Sequence, residues 1–262
     1  MLRKLIIRSL STLHCVLLGA TALGAQEADD PGPLVTDRPD FTESALSVPA
    51  GRLQIEGGYT WSRQGDETSH SIGELLLRLG LLRGFEARLG LNSFAIVERP
   101  GSDVDGLEDI SLGTKLDVVE LFGWPRTARL ALIAATAVPS GSSEIGPTEW
   151  QPEATLAFSF NISERLGLGS NAGLRFPVDE EGRFTQGALS VALGIGLSDS
   201  WGTYIEAYTL LPEGSRPDEL YLNAGVTFLT SDDLQLDARV GSAVAGSIWQ
   251  NVFAGIGASW RI

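Results

Sequence analysis

From Leu53 to the last residue the chain alternates between apolar and polar side chains. LQIEGGYTW sets Leu53, Ile55, Tyr59 and Trp61 against Gln54, Glu56 and Thr60. FEARLGLNSFAIV sets Phe85, Ala87, Leu89, Leu91, Ala95 and Val97 against Glu86, Arg88, Gly90 and Asn92. WQPEATLAFSFNI does the same from Trp150 to Ile162, with Glu153, Thr155 and Ser159 on its polar side. A period of two sends successive side chains to opposite faces, so each stretch predicts a strand with one apolar and one polar face. The same reading predicts twelve strands, at 52–63, 70–81, 85–97, 107–119, 128–138, 150–162, 166–176, 185–197, 201–211, 219–230, 234–244 and 248–262. NVFAGIGASWRI keeps the alternation to Ile262, as expected of a strand that must pair along its whole length.

The predicted links alternate in length. LLRG (81–84), ISER (162–165), SDS (198–200) and SDD (231–233) are short and rich in turn residues. RQGDETSH (63–70), ERPGSDVDG (98–106), PSGSSEIGPTE (139–149) and PEGSRPDE (212–219) are longer and more polar. Pro100, Pro139, Pro177 and Pro212 stand at or near the start of long links, where a missing N–H costs the ladder nothing. The link at 120–127 is too long for a tight turn.

Alternation leaves open which face is inside. Glu56, Arg78, Glu86, Arg88, Lys115, Asp117, Glu153, Arg175, Glu206 and Arg239 fall mid-strand on the polar face, interleaved with Gly58, Gly80, Gly90, Gly113 and Gly173. A solvated outer face has no need of so much glycine, whereas a crowded lumen does. Trp61, Phe85, Trp150, Phe176, Trp201, Phe228 and Trp260 lie on the apolar face near strand ends, where interfacial girdles sit. Strands of about ten residues, tilted by about 40°, cross roughly 25 Å, the height of an outer-membrane apolar band. The expected fold is all-β: a transmembrane up-and-down antiparallel β-barrel with its polar face inward. The rival is a secreted soluble β protein.

Export fits this fold. MLRKLIIRSLSTLHCVLLGATALGAQ has a basic head, an apolar stretch and small residues before Gln26, which predicts a signal peptide at 1–25. The rest divides into a periplasmic lead-in at 26–51 and a barrel at 52–262. Cys15 is the only cysteine and lies in the leader, so no disulfide framework is expected. The chain holds 19 Lys and Arg against 33 Asp and Glu, and the leader would carry off Arg3, Lys4 and Arg8 but no acid. Such acidity speaks against nucleic acid as a partner. The expected partners are outer-membrane lipid and lipopolysaccharide, the barrel-assembly machinery, and a small solute.

VTDRPDFTESALSVPAGRLQIEGGYTW (35–61) resembles the opening of a bacterial family named for the MetA pathway of phenol degradation. GLEDISLGTKL (106–116) and AVPSG (137–141) are similar to that family's internal strand and its proline–glycine strand exit. The resemblance implies an outer-membrane barrel, transporter-like, that passes small and in part aromatic compounds. One departure is the terminal Ile262, where the family has an aromatic.

Within this frame Asp37, Arg38, Pro39 and Asp40 are candidates for a plug, with Arg38 paired to a lumen carboxylate such as Glu56. The alternative is a rigid cap that fixes the register of the first strand. The ten mid-strand charges are either a selectivity path or a mutually satisfied network; five acids against five bases favour the network. Phe94, Tyr204, Tyr208, Tyr221 and Phe253, read on the polar face, line a solute route or fill the lumen. His70 is expected in the first loop, with no serine and orienting acid disposed for nucleophilic catalysis. GSDVDGLED (101–109) lacks the spacing and terminal Glu of a calcium loop. No enzyme, cofactor or metal is therefore expected. The function read from sequence is an outer-membrane channel with a narrow polar lumen; the alternative is a non-conducting barrel that acts through its loops.

Overall fold

The computed structural model describes residues 32–91, 93–123, 128–146, 149–179, 181–245 and 251–262, and the compact unit runs from Pro33 to Ile262. The expected leader, Asn92 and residues 124–127 of the long link lie outside the described residues.

The wall begins with β1 (Leu53–Gln64), β2 (Glu67–Leu82), β3 (Phe85–Leu91), β4 (Phe94–Glu98), β5 (Val104–Leu107) and β6 (Ile110–Asp117), followed by the helix α1 (Val118–Phe122). Next come β7 (Ala128–Val138), β8 (Gln151–Asn161), β9 (Leu166–Arg175) and a two-stranded hairpin, β10 (Val178–Asp179) with β11 (Gly182–Arg183). It ends with β12 (Gln186–Gly196), β13 (Trp201–Pro212), β14 (Glu219–Ser231), β15 (Leu234–Ala245) and β16 (Val252–Arg261). β3 and β4 both pair with β2, one above the other, and β6 and β5 pair with them in turn. Counting each of those two pairs once makes a closed antiparallel barrel of twelve strands, each beside its chain neighbours. β1 closes on β16 from Gln54 opposite Arg261 to Arg63 opposite Val252. Leu53 and Ile262 then exchange both backbone hydrogen bonds, at 3.1 and 2.7 Å. Closure leaves no edge, the only form of sheet that lipid tolerates.

Burial is inverted relative to a water-soluble protein. Among the described residues the largest fully enclosed side chains are Arg78, Lys115, Gln54, Glu56, Glu86, Asp117 and Ser259, while Ile205, Val240 and Ile256 are 58%, 61% and 62% exposed. Apolar side chains on the outer face cost nothing in hydrocarbon, and the inner face can carry charge only where charges meet partners.

Three expectations need correction. The link at 63–70 is a two-residue turn: Gln64 faces Glu67, and Gly65, at φ +61°, reverses the chain. β2 therefore starts at Glu67 and includes His70, because polar residues there keep making ladder bonds beyond the apolar band. The strand expected at 85–97 breaks before Phe94, and side-chain parity shifts by one. Ala95 is buried inside and Phe94, 39% exposed, faces out opposite Ile72, so Phe94 leaves the polar face and Ala95 and Val97 the apolar one. β2 makes the matching adjustment at Gly73 (φ +106°) and Glu74 (φ +44°), which keeps Ile72 below and Leu75 above on the lipid side. Finally, the strand expected at 107–119 is β5 plus β6 and stops at Asp117. There the Asp117 N–H donates to the Gly84 carbonyl in the β2–β3 turn; the ladder ends and α1 follows. The 101–109 stretch contributes β5 rather than a loop throughout.

Candidate functional site

Residues 33–51 precede β1 and pass through the lumen. The segment enters at the mouth where the Leu34 N–H donates to the Asp232 carbonyl (2.7 Å) in the β14–β15 turn. It returns to the same mouth, where the Gly51 N–H donates to the Gly80 carbonyl (2.7 Å). An excursion without regular structure cannot satisfy its own backbone, so the wall must supply partners. Wall carboxylates and amides do so. Glu56 accepts the Asp37 N–H (3.1 and 3.2 Å), and Glu86 accepts that of Val48 (2.8 Å). Glu206 accepts the N–H groups of Phe41 (2.9 Å) and Thr42 (2.6 Å) as well as the Asn223 amide. Asn171 accepts the Glu43 N–H at 2.6 Å and donates to the Glu43 carbonyl at 3.0 Å. Arg239 donates to the Pro39 carbonyl at 2.8 Å.

Asp37 is the centre of the charged cluster. Its carboxylate accepts Lys115 Nζ at 2.9 and 2.8 Å and Arg88 at 2.6 Å, with Arg78 at 3.3 Å. Arg78 also holds Glu56 and Glu86, both at 2.8 Å. Burial alone would push the Asp37 carboxyl up, but Arg78, Lys115 and Arg88 bring it far below its ordinary range. The opposite holds at Asp40, where burial and then the neighbouring Glu206 raise the carboxyl well above its usual value.

Arg38 does not pair with Glu56 as expected. In an extended segment neighbouring side chains point apart, so Arg38 leaves the Asp37 cluster for the opposite side. There it meets Glu74 (2.8 Å), Asp237 (3.6 Å) and the Ile256 carbonyl (3.3 Å). It lies over Gly58 and Gly257, where a Cβ would stand within 2.6 Å of the guanidinium. Among the other charges read from sequence, Asp117 pairs with Arg129 (3.4 Å) and Glu153 with Arg175 (3.2 Å), both away from Asp37. Phe41 stacks on Tyr208 (4.2 Å between centroids) and Tyr208 on Tyr221 (4.6 Å), while Arg175 covers Phe41. These rings occupy one another's faces and pin the tip of the segment. His70 Nδ1 lies 2.7 Å from the Tyr59 hydroxyl.

The sequence reading passed over Glu74, Asp237, Asn171 and Asn223. Asp237 was visible in the alternation Gln235, Asp237, Arg239, but Glu74 was hidden because it falls at the parity shift of β2.

A closed twelve-stranded barrel, apolar outside and charged within, defines an outer-membrane β-barrel. Residues 36–262 match the family described as "Putative MetA-pathway of phenol degradation", and the chain belongs to that family. Its fold is similar to that of the COG4313 outer membrane channel from Pseudomonas putida F1 (TM-score 0.68, 12% identity, covering 87% of this chain and 100% of that one). It is also similar to the NanC porin (0.57, 8%, 80% and 100%) and the KdgM porin (0.54, 12%, 79% and 98%). No curated protein matches the chain in sequence.

Proposed function

We propose that this protein is an outer-membrane channel for small solutes, with its lumen narrowed by residues 35–48. The observation that carries this reading is the mode of attachment. The segment is held by hydrogen bonds from its own backbone to wall side chains, by the buried Asp37 cluster and by the ion pairs of Arg38, an arrangement specific to that stretch of chain. Its attachments line the lumen from Glu56 on β1 round to Glu206 on β13, so it restricts what passes. The family's name supports small aromatic compounds as the solutes. Residues 1–25 would direct export, the barrel-assembly machinery would insert the barrel, and the outward loops would meet lipopolysaccharide. No catalytic role is assigned, since His70 serves the Tyr59 hydroxyl on the outer face.

The alternative is a non-conducting barrel, favoured by the full enclosure of Arg78 and Lys115 in the lumen. Deletion of residues 35–44 separates the two. The channel reading expects a clear rise in single-channel conductance and in liposome swelling with small phenolic solutes. A folded deletion variant as impermeable as a sealed liposome would leave the non-conducting reading standing.

A further inference from the structure

Phe41, at the tip of the lumen segment, occupies a seat built by the wall. Tyr208 on β13 stacks on its ring at 4.2 Å between centroids, with the planes 8° apart. The Arg175 guanidinium on β9 lies over the same ring at 4.9 Å. Between those strands the inner face of β12 carries Ala188 and Ser190 at this level, both small and both buried. Beside the ring, a gap lined by Glu43, Gly173, Arg175 and Ala188 holds no more than a water. A ligand would therefore take the place of Phe41 rather than join it.

Tyr208 is held by the wall as well as by Phe41. Tyr221 stacks on it at 4.6 Å, again with planes 8° apart. The Tyr221 hydroxyl is fixed in turn, donating to Glu219 (2.8 Å) and accepting the Asn251 amide (3.2 Å). Arg175 ends β9 on the side away from the mouth where the segment enters. It meets Glu153 at 3.2 Å and its side chain is 33% exposed, so the seat is reached from the outer end. A tyrosine face together with a guanidinium favours a π ring over a saturated ring of the same size. Two residues along β13, Glu206 accepts the Phe41 N–H at 2.9 Å. From that N–H to its ring, Phe41 has the skeleton of 2-phenylethylamine, a donor two carbons from a benzene ring.

We propose that Tyr208, Arg175 and Glu206 form a binding site for small compounds with a benzene ring and a hydroxyl or amine on a short arm, and that Phe41 is its built-in occupant. Such a compound competes with the tip of the segment. Its ring replaces that of Phe41, and its donor replaces the Phe41 N–H on Glu206. An anionic arm is disfavoured, because Glu206 is itself a carboxylate and accepts donors. That this compound is a transported solute rests on the channel reading above.

Phe41→Ala empties the seat and leaves the ladder bonds of the wall untouched. Calorimetry on the detergent-solubilised full chain, with folding checked by heat-modifiable gel mobility, reads the site directly. F41A should bind 2-phenylethanol at least about tenfold more tightly than the wild type, in which Phe41 competes. Phenylacetate and 2-cyclohexylethanol should bind F41A severalfold more weakly, and Tyr208→Leu added to F41A should abolish the preference for the aromatic ring. Phe41→Leu, apolar but without a ring to stack, gives the same comparison if F41A does not fold. Equal affinity in F41A and wild type would overturn Phe41 as the occupant. Equal affinity for 2-phenylethanol and 2-cyclohexylethanol, or a preference that survives Tyr208→Leu, would overturn the aromatic seat. Phenylacetate bound as well as 2-phenylethanol would overturn the role of Glu206. None of these readouts needs conduction, so ring-selective binding by a barrel that passes no solute would overturn the channel reading alone.

Discussion

Asp37→Ala removes the carboxylate on which the lumen segment turns. The wild-type group lies within 2.6–3.3 Å of Arg88, Lys115 and Arg78, and also accepts the Ser44 N–H at 2.9 Å. Arg78 keeps Glu56 and Glu86, and Arg88 keeps Glu43 (3.1 Å) and Glu86 (3.3 Å). Lys115, wholly buried, loses its ion-pair partner at 2.8 Å. Breaking a buried pair by deleting one member costs about 3–5 kcal/mol, because the remaining charge is left uncompensated. That penalty falls on the state with the segment inside; once it leaves, water fills the lumen and hydrates Lys115. At about 1.4 kcal/mol per tenfold, the balance between held and released segment shifts by roughly 100- to 3,000-fold. Single-channel recording should show frequent or sustained high-conductance states in D37A, where the wild type shows few. Lys115→Met together with D37A should recover much of the loss, since the two costs are not additive. A folded D37A barrel with wild-type conductance and gating would refute the claim that the Asp37 cluster holds the segment in place.

Gly257→Val should act on the other anchor: its Cβ would fall 2.5 Å from the Arg38 guanidinium and 2.7 Å from the Gly57 carbonyl, so Arg38 must leave Glu74 and Asp237. More frequent opening is expected, and opening unchanged from wild type would show that Arg38 contributes nothing to retention. The pH response follows from two opposite shifts on the lumen segment. Asp37 is lowered, so its contribution is present above the ordinary carboxylate value of about 4 and lost only as pH falls through its lower folded value; recordings at pH 7 and pH 4 should show no Asp37-dependent opening. Asp40 is raised, so the held state is favoured below the ordinary value and weakens as pH rises through the raised one, where a second charge forms beside Glu206. Gating should therefore increase on the alkaline side in the wild type and stay flat in Asp40→Asn, and equal pH profiles would remove Asp40 from the account.

Much of the wall was legible because lipid and lumen impose a strict period of two. The strand expected at 128–138 is β7 residue for residue, and those at 166–176 and 234–244 differ from β9 and β15 by one residue. The errors fall where that period is interrupted. A parity shift at Gly73–Glu74 and another before Phe94 compensate each other across neighbouring strands, which no single stretch of sequence records. Phe94 was misplaced and Glu74 overlooked for that one reason.

The sequence by itself determined the barrel: its strand count, its inverted polarity and its closure through the C-terminal strand. Each follows from local alternation and from the demand that every backbone group be paired in lipid. It also put ten charges on the polar face of the strands and made the Asp37–Asp40 stretch a candidate plug or cap. Which charge meets which was decided only in three dimensions. Asp37, rather than Arg38, became the hub because it points to the half of the barrel where β2, β3 and β6 bring Arg78, Arg88 and Lys115 together. Arg38 turned instead to the gap left by Gly58 and Gly257 on β1 and β16. Partners separated by 78 residues, as Asp37 and Lys115 are, meet only once the sheet has closed on itself.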